Sequence, residues 1–453
     1  MADESPVTIL GAGLAGSLLG ILLARRGQHV RIYERLPDLR LEQITAGKSI
    51  NLALAARGIR ALERAGIMDE VRPLLIPMPG RMLHDLDGRQ TFSAYGQRPE
   101  EVIYSVSRPG LNRVLLDAAQ AAGVELHFRQ PLLAARFNDR QLVLRNESND
   151  TQHQLPLRRV IGADGAGSVL RRSFVAALGI PCNEALLEHG YKELALPAGP
   201  DGRHQLDSNA LHIWPRGGFM LIALPNTDGS FTVTLFLAYE GEVSFAALTT
   251  AEQVTAFFTR YFPDASALMP ELAEDFFAHP TGVMGTVRCS QWSSGEDMLL
   301  IGDAAHAITP FHGQGMNCAL EDCVTLDRLL ESRDWGTALA DFDRLRRPDT
   351  DAIATMAIEN YQEMRDTVRA PKFQLQKALS LELERRFPNR FVPRYSMVMF
   401  HDEIPYSVAL SRGRVQSVIL DELTASAATL ADVDYELAQA LVTQRLTVLG
   451  SES

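Results

Sequence analysis

Three glycines, Gly11, Gly13 and Gly16, stand in the run Leu10-Gly-Ala-Gly-Leu-Ala-Gly16, between an apolar strand at 7–10 and an apolar helix reaching about Arg26. This spacing permits a tight turn and lets backbone amides at a helix N-terminus approach a pyrophosphate. Glu34 closes the next strand, residues 29–33, where its carboxylate can accept hydrogen bonds from a ribose diol. The same carboxylate would repel a 2'-phosphate, so NADP is disfavoured at this site while NAD and FAD stay open. No second glycine triad lies in a comparable strand-to-helix setting, which argues against two nucleotide-binding folds.

Two later segments also lie between a strand and a helix. In Gly162-Ala-Asp164-Gly165-Ala-Gly-Ser168, Asp164 could hold part of a cofactor and Ser168 could cap the following helix. Taken alone, a capped turn explains this segment equally well. In Gly302-Asp303-Ala-Ala-His306, Asp303 ends a strand where it could bond a ribityl hydroxyl. Beyond it, the amides of Gly315, Met316 and Asn317 begin a helix and could face an electron-rich ring edge. His306 and His312 find no third metal ligand in register and read as loop residues. No zinc spacing and no metal site are expected.

The elements that must position these groups follow from composition and period. With 453 residues, 46% of them hydrophobic, the chain should split into two or three units. Its net charge of -12, with no basic cluster, makes nucleic acid an unsuitable partner. No signal peptide or hydrophobic tail is evident, so a cytoplasmic protein without a membrane anchor is expected. The four cysteines, Cys182, Cys289, Cys318 and Cys323, are expected as reduced thiols. On a helix, Cys318 and Cys323 would point roughly 140° apart. Residues 141–144 and 155–157 flank a polar run and suggest a hairpin with an exposed tip. Residues 190–290 read as strands and turns. In the strand 231–237, alternation places Thr232, Thr234 and Phe236 opposite Phe231, Val233 and Leu235. After residues 298–301, an apolar strand, the chain turns helical.

In this order and at these separations, the three segments resemble those of the class A flavoprotein monooxygenases, the family that includes p-hydroxybenzoate hydroxylase. Closer runs resemble its kynurenine 3-monooxygenase branch. They include Gly47-Lys-Ser-Ile-Asn-Leu-Ala-Leu54, His189-Gly-Tyr-Lys-Glu193, Leu211-His-Ile-Trp-Pro215 and Pro310-Phe-His-Gly-Gln-Gly-Met-Asn317. The likeness runs from Val7 to about Tyr406. It implies one tightly held FAD, NADPH as a transient co-substrate, and hydroxylation of L-kynurenine to 3-hydroxykynurenine with O2 through a flavin C4a-hydroperoxide. Eukaryotic members end in a membrane-anchoring segment, and this chain looks like the soluble bacterial form. A related hydroxylase acting on another aromatic acid, or a flavin-binding protein without hydroxylase activity, stays open.

Carried over by motif, the resemblance puts FAD against Ala15, Tyr33, Glu34, Arg35, Leu36, Ala53, Arg108, Leu132, Asp164, Asp303, Met316 and Asn317. It puts the substrate's amino-acid group against Arg81, Tyr95, Asn360 and Tyr395. Its aromatic ring falls among Leu211, Ile222, Phe236, Pro310, Phe311, His312 and Met364. No side chain is expected to act as a nucleophile. Asn360 has independent support, because 353, 357, 360 and 364 share one helical face that is otherwise apolar. A buried amide there needs a partner, and either a ligand or a structural hydrogen bond would serve. The expected architecture is α/β: a Rossmann-like FAD domain from 1–75, 97–180 and 290–345, interleaved with a sheet-containing substrate domain from 76–96 and 181–289. A helical region follows from 346 to 453.

Overall fold

The computed structural model describes residues 5–42, 51–364 and 370–450. The start of the chain and residues 47–50 of the Gly47–Leu54 run lie outside the described residues. Two large sheets organise the molecule. The first has strands in the order Ser293–Ser294, Met298–Leu300, Val160–Gly162, Val7–Leu10, Val30–Tyr33 and Glu125–His127. Every pairing in it is parallel except that of Ser293–Ser294. Its central strands Met298–Leu300, Val160–Gly162 and Val7–Leu10 are buried along their whole length because helices cover both faces, as in doubly wound folds. The helices Leu14–Arg25, Arg108–Ala121 and Gly315–Leu329 supply that cover, with Leu18, Leu111 and Leu320 wholly buried.

The second sheet runs Gly282–Cys289, Cys182–Leu196, Phe231–Ala238, Met220–Pro225, Ala210–Pro215, Gly80–His84 and Gln90–Ala94. The expected alternation in Phe231–Ala238 is present. Val233 and Leu235 enter a core with Phe258 and Phe262, while Phe236 enters a separate cluster with Phe311 and Met364. The back of the sheet is covered by helices Ala251–Tyr261, Pro263–Ser266 and Leu272–Ala278. These helices correct the reading of 190–290 as strands and turns. Their signal lies in the capping box Thr250–Gln253 and in the apolar spacing of Val254, Phe257 and Phe258. The polar run expected as a hairpin tip is mostly strand: Gln141–Asn146 pairs with Thr151–Pro156 across a short turn.

The expectation of four reduced thiols holds only for Cys318 and Cys323, which are buried and unpaired. Cys182 and Cys289 are joined as a disulfide across 107 residues of sequence. The reason is register: Cys182 begins the strand that leaves the first sheet's domain, Cys289 ends the strand that returns to it, and the antiparallel ladder sets them opposite each other. No helix among the described residues is long and apolar enough to cross a membrane. The unfolded, unreduced chain is expected to titrate two thiols, and all four after reduction. Cys289→Ser is expected to lower stability by roughly 2–5 kcal/mol. The measurement is the denaturant midpoint against the oxidised wild type, and the gap should close when the wild type is reduced.

Candidate functional site

The glycine turn is shaped by crowding on one side and openness on the other. A Cβ at Gly11 would sit 2.4 Å from the Ala163 carbonyl oxygen, and one at Gly16 only 2.0 Å from that of Gly11. Gly11 also holds φ +101°. A Cβ at Gly13 would meet nothing within 4 Å, and Gly13 is the N-cap of helix Leu14–Arg25 without a side-chain cap. The turn therefore presents unsatisfied helix amides to open space. Beside it the Glu34 carboxylate accepts from the Ala12 amide at 2.7 Å and the Leu36 amide at 2.8 Å. Gln130 donates its amide to the Glu34 carbonyl, bringing Leu132, Tyr33, Arg35 and Leu36 to the same sheet end as the turn.

Asp164 and Ser168 share the capping of helix Val169–Leu178. Ser168 Oγ accepts from the Arg171 amide, as expected, and Asp164 Oδ2 accepts from Val169 at 2.9 Å. Asp164 Oδ1 is buried with no partner. Asp303 is the one exposed residue between Ile301 and Ala307, and it starts a short helix. Helix Gly315–Leu329 opens without a side-chain cap, leaving the amides near Gly315 and Met316 available. Asn317 is spent differently: its amide donates to the Ala53 and Gly313 carbonyls and accepts from Ala55. It ties strand Leu52–Leu54 to the helix start. Arg108 is the first residue of its helix, directly after the strand that pairs with Leu52–Leu54. Open turn, acid at the end of the next strand, orphaned carboxylate oxygen and uncapped helix form a cradle that fits FAD.

His306 is not a loop residue. It is buried and bonds Asp322 at 2.6 Å, and with Cys318 these ligand atoms lie within 4.8 Å of one another. The helix turn from 318 to 322 brings together what the spacing around His306 and His312 did not suggest. Arg346 already occupies the cluster, donating to Asp322 at 2.9 Å and contacting Cys318 Sγ at 3.4 Å. A guanidinium stands where a cation would have to bind, so the group reads as an ion-pair network.

On the front of the second sheet lies a cluster of side chains with one polar end and one aromatic end. At the polar end Arg81 lies 5.3 Å from the Tyr95 ring centre and 4.9 Å from that of Tyr395, and the two rings stack at 5.4 Å. Arg81 Nε and the Tyr95 hydroxyl are buried without a partner in hydrogen-bond geometry. Burial alone would lower the Arg81 pKa, but the two tyrosine oxygens and Glu363 outweigh it and the net shift is upward. Burial raises the Tyr95 and Tyr395 hydroxyls, keeping them as neutral donors. His312 stacks on Tyr395 at 5.4 Å, and burial, with Arg394 and Arg81, pushes its pKa down to about 3.

At the aromatic end Phe311 lies 5.0 Å from Phe236 and stacks on Tyr361 at 3.9 Å, with Met364, Leu211 and Ile222 alongside. Pro310 is exposed at the rim. Asn360 donates to the Phe311 carbonyl at 2.6 Å and contacts Met364 Sδ at 3.3 Å. Of the two partners open to it, the structural one is present: Asn360 holds the Pro310–His312 turn. Tyr361 escaped the sequence reading, although it adjoins Asn360 on the same helix. Lys377 was also missed. It reaches the polar end from helix Pro371–Arg386, donating to Ser93 and to the Ala94 carbonyl, and burial with Arg81 pushes its pKa down to about 8.

Glu34→Ala is expected to weaken FAD retention by roughly 1.5–3 kcal/mol, the range for a charge-assisted hydrogen bond. Equilibrium titration of apoprotein with FAD measures it, and unchanged affinity would remove Glu34 from the cofactor cradle.

The profile of the FAD binding domain family matches residues 4–342. A kynurenine 3-monooxygenase of Myxococcus xanthus is 46% identical over 453 residues, covering 100% of this chain and 97% of that protein. One from Xanthomonas axonopodis is 46% identical over 448 residues, covering 99% and 98%. Among solved structures, 2-methyl-3-hydroxypyridine-5-carboxylic acid oxygenase superposes with TM-score 0.66 at 21% identity, over 83% of this chain and 96% of that one. PqsL of P. aeruginosa gives 0.61 at 21%, over 80% and 96%. With 46% identity over its whole length and an FAD binding domain matched across residues 4–342, the chain belongs to the kynurenine 3-monooxygenase family.

Proposed function

We propose that the protein hydroxylates L-kynurenine at the ring carbon beside its amine, giving 3-hydroxykynurenine, with NADPH as hydride donor and O2 as oxidant. The observation that carries this reading is Arg81: a half-buried guanidinium whose Nε is buried without a hydrogen-bond partner, beside the stacked rings of buried Tyr95 and half-buried Tyr395. An α-carboxylate entering a partly dry cavity needs a cation to offset its desolvation, and a guanidinium can grip both oxygens. Its neighbours supply hydroxyl donors from Tyr95 and Tyr395.

The aromatic ring then falls against Phe236, Phe311, Leu211, Ile222 and Met364, which orient it and exclude water. His312 stays neutral at the boundary, so its orphaned Nδ1 can exchange a hydrogen bond without adding charge. FAD, when bound and reduced, supplies the oxygen-activating chemistry. The chain's own groups position, orient and dry the site, and none stands as a nucleophile. The purified protein is expected to consume NADPH in a kynurenine-dependent manner and to release 3-hydroxykynurenine. NADPH oxidation without that product would overturn the substrate assignment.

Arg81→Ala is expected to weaken kynurenine binding by roughly 2–5 kcal/mol, much of it the cost of an unpaired carboxylate. Arg81→Lys should restore only part, because an ammonium keeps the charge and loses the planar fork. Titration followed by flavin fluorescence reads both variants, and wild-type affinity in Arg81→Ala would remove the anchor.

A further inference from the structure

Behind the sheet that carries Arg81 lies a chain of buried hydrogen bonds that the proposed reaction does not use. Along Gly80–His84, Arg81 and Leu83 lie on the front face while Met82 and His84 lie on the back, as a period of two requires. His84 is fully buried, as is His212 on the adjoining strand. His84 Nδ1 lies 2.7 Å from Asp264 Oδ2, and its Nε2 lies 2.8 Å from His212 Nδ1. His212 Nε2 lies 2.8 Å from the Asp207 carbonyl oxygen. Trp214 Nε1 donates to both Asp264 oxygens, at 3.0 and 2.9 Å, and the Trp214 ring stacks on His84 at 4.0 Å.

The protons on this chain can be counted from one end. A carbonyl only accepts, so His212 Nε2 carries a hydrogen. Burial, with His84 beside it, pushes the His212 pKa down to about 4, so its other nitrogen is bare and must accept from His84 Nε2. Burial pushes the Asp264 carboxyl up, but the hydrogen bonds from His84 and Trp214 prevail and the net shift is down. Asp264 is therefore a carboxylate that accepts from His84 Nδ1. Both His84 nitrogens thus face acceptors.

We propose that His84 is a buried imidazolium, pinned between Asp264 and His212, and that this proton makes His84 a positioning residue for Arg81. The mechanical link is short. Leu211 pairs with Arg81 and His212 with Met82 in the parallel ladder, so the His84–His212 bond fixes the register of the strand that presents the guanidinium. Asp264 ties the same strand to helix Pro263–Ser266. Other groups facing the pin leave its proton count unchanged. Arg216 donates to the His84 carbonyl and the Tyr261 carbonyl, and the Asp207 carboxylate is turned to the Asn209 amide. Loss of the proton leaves two bare nitrogens facing each other or forces His212 to turn away from Asp207, and either outcome frees the strand.

The substrate arm of the test rests on Arg81 being the carboxylate anchor, and the spectroscopic arm does not. In full-length holoenzyme labelled with 15N-histidine, one ring is expected to show both nitrogens protonated at pH 7.5, and that signal should vanish in His84→Gln. A bare nitrogen on His84 overturns the proposal. The second measurement is the pH dependence of KM for kynurenine. In Asp264→Asn, which removes the carboxylate while keeping the shape, KM should begin to rise at a pH lower by roughly 1–3 units than in wild type. FAD content and low-pH kcat should stay the same. Superimposed profiles overturn the positioning role. If Arg81→Ala binds kynurenine normally while the nitrogen spectrum is as expected, the anchor fails and the buried imidazolium stands.

Discussion

A carboxylate wholly out of water, that of Asp322, joins the elements on which the cofactor cradle depends. It accepts from the Gly302 amide at 2.9 Å, from His306 at 2.6 Å and from Arg346 at 2.9 Å. An ion buried this deeply is tolerated only when its lone pairs are filled and its charge is balanced. Arg346 supplies the balance and passes it on: it also pairs with Glu321, which pairs with Arg57, whose guanidinium lies 3.9 Å from the Tyr406 ring centre. Tyr406 donates to Gln314, the residue before helix Gly315–Leu329. The strand end bearing Asp303, the uncapped helix start and the C-terminal helices are thus held by one network of alternating charge. Breaking one member would leave a partner buried and uncompensated, a larger loss than that of a surface pair.

The second sheet separates its duties by face. Its front carries the Phe236–Phe311 cluster together with the polar Arg81 and Thr234. Its back packs Trp214, Phe258 and Phe262 into a core that also takes in the polar His84, His212 and Lys192. Alternation along a strand lets adjacent residues serve these two environments without compromise. The front face can then be shaped for a ligand while the back supplies the rigidity that a binding constellation needs.

Local features were legible in the sequence and long-range ones were not. The turn at Gly11, Gly13 and Gly16, the acid at Glu34 and the cap at Ser168 declared themselves because their partners lie within a few residues or at the end of the next strand. The alternation in Phe231–Ala238 was equally plain, since its period is fixed by the backbone. The signal for helix Ala251–Tyr261 is local as well, a capping box at Thr250 and Gln253. The Cys182–Cys289 pair was not legible, because its geometry depends on a ladder between strands 107 residues apart. Likewise His84 meets Asp264 across 180 residues, and Arg346 meets Asp322 from a separate helix. Asn360 was legible as a buried amide needing a partner, but not which partner, since the Phe311 carbonyl is brought to it by tertiary packing.

Electrostatics around Arg81 follow one logic. Arg81 would be of little use to a ligand if the protein neutralised it. Glu363 is the acid whose field reaches it, and burial raises the Glu363 carboxyl despite the opposing pull of Arg81, Arg394 and Lys377. That direction favours the uncharged acid and weakens its claim on the guanidinium. Lys377, pushed down to about 8, and His312, pushed down to about 3, shift toward their neutral forms for the same reason. Desolvation thus moves the neighbouring ionisable groups away from charge, while a guanidinium, too basic to follow, keeps its own. A guanidinium that keeps its charge in such surroundings favours an anionic group at that end, and the hydrophobic residues beside it set what else a ligand there must be.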